Sequence, residues 1–418
     1  MSDRETRHAE LAERFLPDAL IERIRARAAD TDRENTFFTA DLDELRAQGY
    51  LTVFVPEEFG GPGLSLHEVS RLQQRLAGAA PGTALATNMH LMCTGVARAM
   101  RERGDRSLDR VFAEAMAGEI FAFGISEPGN DFVLSDSTTA AVPQSDGGYR
   151  LTGTKIFTSL SPVWTRLLTH GVDASDPASP QLVYGFLTRG TPGITISDQW
   201  DVLGMRASQS RATRLDDVAL AAERVVRRLP VGPDPDLLTF AIAANFQLLI
   251  GSVYAGLARR ALDVAAAGLR SRRSAKAGAA LAEVPESRVR LADALYELLP
   301  VTAMLDATTR DFDELVNHGS GWSVRLVGAR LHATAAARRA AEVALLCAGG
   351  AGYNAGHEAS RLFRDAAAGM FHPPAADAAR PLFAAALLDT ENDRGDDRGD
   401  ERGDERSAVT RSASGTQR

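Results

Sequence analysis

Lysine, cysteine and long apolar runs are scarce in this chain. Of 47 basic residues only Lys155 and Lys276 are lysines, so the positive charge is almost entirely guanidinium. The only cysteines are Cys93 and Cys347, which excludes a disulfide scaffold and gives no sign of an oxidising compartment. Glycine numbers 36 residues but follows no period, so a collagen-like chain is excluded as well. No stretch reaches the roughly 20 unbroken apolar residues that span a bilayer, and the opening MSDRETRHAE is charged where a signal peptide is apolar. A cytoplasmic protein without a membrane partner is therefore expected. An excess of positive charge is also missing: 47 basic against 55 acidic residues give a net charge of -8, which disfavours nucleic acid as a partner. No metal is expected.

What is present is an ordinary globular composition, 44% apolar and 24% charged over 418 residues, enough for about three domains of roughly 150 residues each. Helical periodicity runs from about residue 8 to 118, with segments at Leu42 to Gln48, Leu66 to Leu76, Ala84 to Arg103 and Leu108 to Ala117, separated by breakers such as PEEFGGPG. At Phe121 the texture changes to short alternating runs, including Tyr149 to Thr152, Lys155 to Ser159, Arg166 to His170 and Leu182 to Thr188. Gly147-Gly148 marks a hairpin. After VGPDPD, three long helical segments follow, Leu237 to Arg273, Glu286 to His318 and Trp322 to Cys347, then a shorter one at Glu358 to Ala368. The expected fold is α+β and multidomain: a helical domain over 1–120, a central β-barrel or sandwich domain over 121–228, and a four-helix-bundle-like domain over 229–390. Residues 391–418, with DRGDDRGDERGDERS and almost no aliphatic side chain, read as a disordered tail whose RGD triplets are solvated.

Four segments carry candidate chemistry. GISEPGND at 124–131 ends an apolar run in a Pro-Gly turn and presents the Ser126 hydroxyl at a domain edge. GTKIFTS at 153–159 places Phe157 as an aromatic face beside the hydroxyls of Thr158 and Ser159, suited to a flat aromatic ligand. LGMRASQS at 203–210 contains a tight turn. CAGGAGY at 347–353, followed by RLFRD at 361–365, ends a long helix with glycines that allow close backbone approach. Each alone reads first as an ordinary turn, an exposed strand or a helix cap.

Together, in this order and spacing, the four resemble the acyl-CoA dehydrogenase superfamily of flavoproteins, over nearly all of residues 8–390. GISEPGND stands for the family's TEPGAGSD-like segment, two residues shorter; GTKIFTS for its GTKxWIT strand; LGMRASQS for LGMRxTxS; GGAGY and RLFRD for its GGxGY and RD runs. The resemblance implies bound FAD, with Ser126, Phe157, Thr158 and Ser159 at the isoalloxazine. It places Arg272 at the FAD pyrophosphate of a neighbouring subunit, where a guanidinium forms paired charge-assisted hydrogen bonds, although Ala275 and Lys276 replace the usual Phe-Gly. By the same resemblance, Ala348, Gly349 and Gly350 would approach the cofactor of another subunit, with Leu346 in place of the usual glutamine. A homotetramer is implied, with an acyl-CoA or other acyl thioester as substrate and electrons passed to an electron-transfer flavoprotein.

The departures concern the base. Dehydrogenation removes an α-proton and needs a carboxylate beside the substrate. Of the family's two glutamate positions, one is Pro373 and the other Phe246. Three readings stay open. Asp377 reaches the site from a displaced loop and serves dehydrogenation. Alternatively the chain is a two-component monooxygenase fed by a flavin reductase, with His372, and in some members a set resembling His90 with Ser159, serving oxygen transfer. Or it is a flavin-binding subunit without turnover. The family default, α,β-dehydrogenation of an acyl thioester, is the leading expectation.

Overall fold

The computed structural model describes residues 3–389. The expected tail lies outside these residues. Six helices lead: α1 (Asp3–Phe15), α2 (Asp18–Glu34), α3 (Thr39–Ala47), α4 (Leu66–Ala77), α5 (Pro81–Glu102) and α6 (Asp109–Met116). Their ends follow ordinary capping chemistry. Ser65 and Glu68 form a reciprocal capping box at α4, and Pro81 opens α5, where a missing N–H costs nothing.

Strands β1 (Phe121–Phe123), β2 (Ala140–Pro143), β3 (Tyr149–Thr158), β4 (Arg166–Asp173), β5 (Gln181–Thr188), β6 (Ile194–Ile196), β7 (Arg211–Leu220) and β8 (Val225–Pro230) form one sheet. Its order is β6-β7-β3-β2-β4-β5-β8, with β1 parallel to β4. β2 and β3 make the hairpin marked by Gly147-Gly148. The two runs expected at 149–152 and 155–159 are a single strand, β3, whose pairing with β7 shifts register between Leu151 and Gly153 and again between Lys155 and Thr158. Irregularities of this kind re-aim side chains, and the second one lies beside the cavity described below. β5 is apolar almost throughout because both its faces are covered: Leu182, Tyr184 and Phe186 join the core shared with the helices, while Val183 and Leu187 join a second core on the opposite face.

Helices α7 (Leu237–Ser271), α8 (Pro285–Asp313), α9 (Gly321–Ala348), α10 (Glu358–Ala367) and α11 (Ala376–Leu388) complete the fold. Asp236 caps α7 by accepting the Leu238 N–H at 2.7 Å. α7 is long and apolar enough to cross a membrane, but most of it is buried, packed by α4, α5, α8 and α9. Gly256 permits one of these crossings, since a Cβ there would lie 2.1 Å from the Gln74 carbonyl oxygen of α4. The order helices, sheet, helices is the one expected. Asp377 sits in the exposed first turn of α11, paired with Arg380 at 2.8 Å.

Candidate active site

A cavity of about 570 Å³ opens where the sheet meets α5, α7 and the segment after α10. Its walls are mainly apolar: Leu85 and Met89 of α5, Phe123 and Ile125, and Ile242, Phe246 and Ile250 of α7. Polar groups enter at few points, among them Ser126, Ser159, Ser208, Ser210, Gln247 and His372. Sites for small organic ligands usually combine such walls with a few polar contacts.

The loop at 124–139 forms one side of the cavity, held by a charge cluster that sequence reasoning missed. Glu127, buried, accepts seven hydrogen bonds, from Asn130 Nδ2, Ser137 Oγ, both the N–H and Oγ1 of Thr138, both the N–H and Oγ1 of Thr139, and Lys155 Nζ. The Lys155 contact is 2.5 Å, and neither side chain is exposed. Burial alone would raise the Glu127 carboxyl, but the Lys155 charge and these hydrogen bonds hold it well below the usual carboxylate range. Lys155 Nζ also lies 3.2 Å from His170 Nδ1, and His170 Nε2 lies 2.7 Å from the Val133 carbonyl. An ammonium can only donate, so Nδ1 accepts and Nε2–H donates to Val133. Burial, with Lys155 adding to it, holds His170 neutral, down to about 3. One chain of contacts thus runs from Glu127 through Lys155 and His170 to the loop residue Val133, which lines the cavity. The scarcity of lysine was the available signal, since one of only two lysines lies in the GTK motif.

The LGMR turn and the RD pair form the opposite rim and are one unit. Asp365 Oδ1 accepts the Met205 N–H at 2.6 Å. Gly204 lies so close to α10 that a Cβ would meet the Arg364 carbonyl oxygen at 2.1 Å. Arg364 grips Asp32 through both terminal nitrogens, at 2.9 and 2.5 Å, and its Nη1 also donates to the Leu203 carbonyl. Two motifs about 160 residues apart therefore fix each other.

Backbone strain gathers here. Phe157 and Met205 line the cavity with φ of 56° and 53°, a left-handed region that costs non-glycine residues of order 1–3 kcal/mol each and persists where the surroundings enforce it. Phe157 is exposed at the rim, its ring edge-on to Trp200 at 6.4 Å, and Phe132, Leu203 and Phe371 are exposed around the same opening. A flat apolar ligand would cover these side chains.

Of the residues expected at a flavin ring, Ser126, Phe157 and Ser159 line the cavity. Thr158, between two lining residues, is buried and does not line the cavity; its Oγ1 faces Gly124 and has no hydrogen-bond partner among the described residues. Ser159 Oγ lies 2.7 Å from Ser210 Oγ, which lies 2.8 Å from Ser208 Oγ. Three hydroxyl protons supply only two internal bonds, so one proton remains for a ligand. The residues present therefore fit a flavin ring.

Arg272, Ala348, Gly349 and Gly350 come together elsewhere, at the ends of α7 and α9, and do not line the cavity. Arg272 Nη1 donates to the Cys347 carbonyl at 2.7 Å, and its guanidinium packs against Gly349, whose φ is 60°.

Two candidate catalytic residues are corrected by geometry. His90 is buried away from the cavity with both nitrogens engaged by backbone: the Phe121 N–H donates to Nδ1 at 3.1 Å, and Nε2 donates to the Leu51 carbonyl at 2.7 Å. Burial holds it neutral, lowered to about 4. It ties α5 to the sheet. Asp377, on α11, is not among the cavity-lining residues and is paired with Arg380. His372 does line the cavity, and so do Phe246 and Pro373, the two positions that correspond to the family's glutamate. Among the described residues, the only carboxylate in the lining is Asp131, exposed at the mouth.

A helical domain, a sheet and a helical bundle meeting around one apolar cavity, with a strained aromatic rim and a GTK strand along its wall, define a flavoprotein of the acyl-CoA dehydrogenase type. The chain belongs to the acyl-CoA dehydrogenase family: residues 6–115 match its N-terminal domain, 122–218 its middle domain and 248–377 its C-terminal domain. It is 31% identical over 390 residues to an L-evernosamine nitrososynthase of a Micromonospora species, covering 90% of each chain. To a dibenzothiophene monooxygenase of Rhodococcus qingshengii it is 28% identical over 254 residues, 59% of each chain. The crystal structure of KijD3 in complex with FMN and dTDP-3-amino-2,3,6-trideoxy-4-keto-3-methyl-D-glucose superposes with a TM-score of 0.79 at 30% identity, covering 92% of this chain and 95% of that one. The family is one of flavin-dependent oxidoreductases.

Proposed function

We propose that this protein is a two-component flavin-dependent monooxygenase that transfers one oxygen atom to a nucleophilic nitrogen or sulfur of a small molecule. The observation that carries the reading is the lining of the cavity: Phe246 and Pro373 occupy it where dehydrogenases of the family hold their glutamate, and among the described residues no buried carboxylate lines the cavity in their place. Without a general base, proton abstraction typically loses about 10² to 10⁴ in rate. The leading expectation of acyl thioester dehydrogenation therefore finds no group to perform its first step.

Reduced flavin, delivered by a reductase, supplies the two electrons with which dioxygen is split, one atom going to the acceptor and the other leaving as water. The protein's own residues do the rest. Phe157 and Trp200 would flank the ring, Ser126 and the Ser159–Ser210–Ser208 hydroxyls would hydrogen-bond its polar edge, and the apolar walls would exclude water. His372 stands in the lining as a neutral imidazole, lowered to about 3 by burial and by the Arg330 charge. Relatives named for oxidising an amino-sugar nitrogen and for acting on dibenzothiophene share the class of acceptor, a lone pair on nitrogen or sulfur.

The expected cofactor is FAD, with FMN the alternative presented by KijD3. If Arg272 meets a pyrophosphate, Arg272→Ala weakens FAD and leaves FMN affinity unchanged. A homotetramer is part of the proposal, measured by sedimentation. The deciding experiment mixes protein with reduced flavin anaerobically, then admits air and an amine or thioether. Oxygen uptake with an oxygenated product supports the reading. Bleaching of oxidised flavin by acyl-CoA, without oxygen, overturns it.

A further inference from the structure

His372 is held by a set of buried groups whose hydrogen-bonding rules determine which of its nitrogens carries the proton. Tyr254 of α7 is fully buried, and the sole partner of its hydroxyl among the described residues is His372 Nε2, at 2.8 Å. If Nε2 carried the proton and donated, the tyrosine O–H would be left buried without an acceptor, at a cost of about 1–3 kcal/mol. The hydroxyl therefore donates, Nε2 accepts, and the proton of the neutral ring sits on Nδ1. An imidazolium is disfavoured as well, because it would set Nε2–H against the tyrosine proton and a second positive charge near Arg330. His372 Nδ1 has no partner among the described residues and is not one of the buried unpartnered atoms, so it remains accessible at a residue lining the cavity.

Arg330 of α9 holds the same segment from behind. It is completely buried, yet among the described residues no carboxylate pairs with it. Its Nε donates to Gln247 Oε1 at 2.5 Å, its Nη2 donates to the Pro374 carbonyl, and the Gln247 amide in turn donates to the Pro373 carbonyl at 3.0 Å. The two residues after His372 are thus gripped at successive carbonyls, one by the arginine and one through the glutamine it orients. A buried guanidinium without a counter-ion is costly, and it lowers Arg330 itself to about 10. Such a group is usefully read as serving the segment it holds. The charged or titratable groups that face this cluster are Tyr254 from α7, Arg330 from α9 and Asp365 from α10, the last acting on Tyr254.

We infer that Arg330, Gln247 and Tyr254 are positioning residues that lock His372 as the Nδ1–H tautomer and present that N–H as a hydrogen-bond donor to the ligand in the cavity. The inference rests on the monooxygenase reading for its catalytic consequence, but the tautomer belongs to the protein alone. A fixed donor at the reacting face orients oxygen transfer and keeps free hydrogen peroxide from escaping.

The test is nitrogen NMR on protein labelled at its histidine nitrogens, without flavin, with the His372 signals identified by their loss in His372→Gln. Wild type shows Nδ1 protonated and Nε2 bare. Tyr254→Phe, which keeps the ring and removes only the hydroxyl, releases Nε2 and gives a mixture of tautomers. Arg330→Met does the same by freeing the segment, and Arg330→Lys recovers part of the wild-type signal. With reduced flavin, both disrupted variants lose about 10- to 100-fold in kcat, with a smaller change in KM and a larger share of oxygen released as hydrogen peroxide. Should wild-type His372 prove protonated at Nε2, or should Tyr254→Phe leave the tautomer unchanged, the inference is overturned. A wild-type protein with the Nδ1–H tautomer but no oxygen uptake would instead overturn the monooxygenase reading and leave the tautomer assignment standing.

Discussion

Replacing Glu127 by glutamine tests how the cavity loop is held. The substitution preserves shape but removes the charge, and it turns one acceptor oxygen into an amide donor facing groups that are themselves donors. Glu127 accepts seven hydrogen bonds, and its Lys155 partner has no other carboxylate in contact among the described residues, so Glu127→Gln leaves a fully buried ammonium uncompensated. Breaking one side of a buried ion pair costs about 3–5 kcal/mol. That loss divides between global unfolding and local release of residues 130–139. If about 3 kcal/mol fell wholly on the loop, flavin would bind about 150-fold more weakly, at about 1.4 kcal/mol per tenfold. Urea unfolding and flavin titration, measured on the same variant, should together account for the loss. Lys155→Met should cost less, because six donors remain to solvate the Glu127 carboxylate while the reverse variant leaves the ammonium with neutral partners only, the glutamine oxygen, Ser137 and His170. The reasoning fails if Glu127→Gln costs under about 1 kcal/mol in the two assays combined, or if Lys155→Met is the more damaging change.

The remaining predictions concern the rim, the aromatic face and pH. Gly204→Ala drives a Cβ into the Arg364 carbonyl and should separate the LGMR turn from α10, lowering the melting temperature and flavin affinity together. Phe157→Ser removes the exposed ring and relieves no strain, so flavin affinity should fall with little change in stability; an unchanged affinity would remove Phe157 from the site. Lowering the pH from about 6.5 to about 4 should destabilise the fold. His90, His170 and His372 are held neutral with lowered values, so the unfolded chain binds more protons and stability falls with pH across that window. Asp365, raised by burial to about 6, takes the opposite sign and partly offsets them between about pH 6 and 4. The proton uptake on unfolding at about pH 5 should drop in His90→Gln.

The three-part architecture was legible because helical and alternating periodicities differ in kind, and glycine and proline clusters mark the changes between them. β3 was read as two short runs because its shift at Leu151 to Gly153 breaks alternation, although the backbone pairing with β7 continues on either side. Part of the site was equally plain: Ser126, Phe157 and Ser159 stood in motifs and do line the cavity. His90 was misplaced because histidine chemistry looks the same in a sequence whether the ring meets a ligand or two backbone groups. Gln247, Tyr254 and Arg330 were missed because a single polar residue on a long apolar helix carries no local signal.

The sequence by itself determined the family, the order of helices and sheet, and the absence of the usual glutamate at Phe246 and Pro373, since these are statements about residue type and spacing along the chain. Only the tertiary structure decided that both vacant positions face the same cavity as His372, that Asp377 does not, and that Lys155 is the counter-ion of Glu127. The physical reason is that protonation, tautomer and reach depend on neighbours within a few ångströms. Tyr254 and Arg330, 118 and 42 residues from His372 in the chain, reach it only through the packing of α7 and α9.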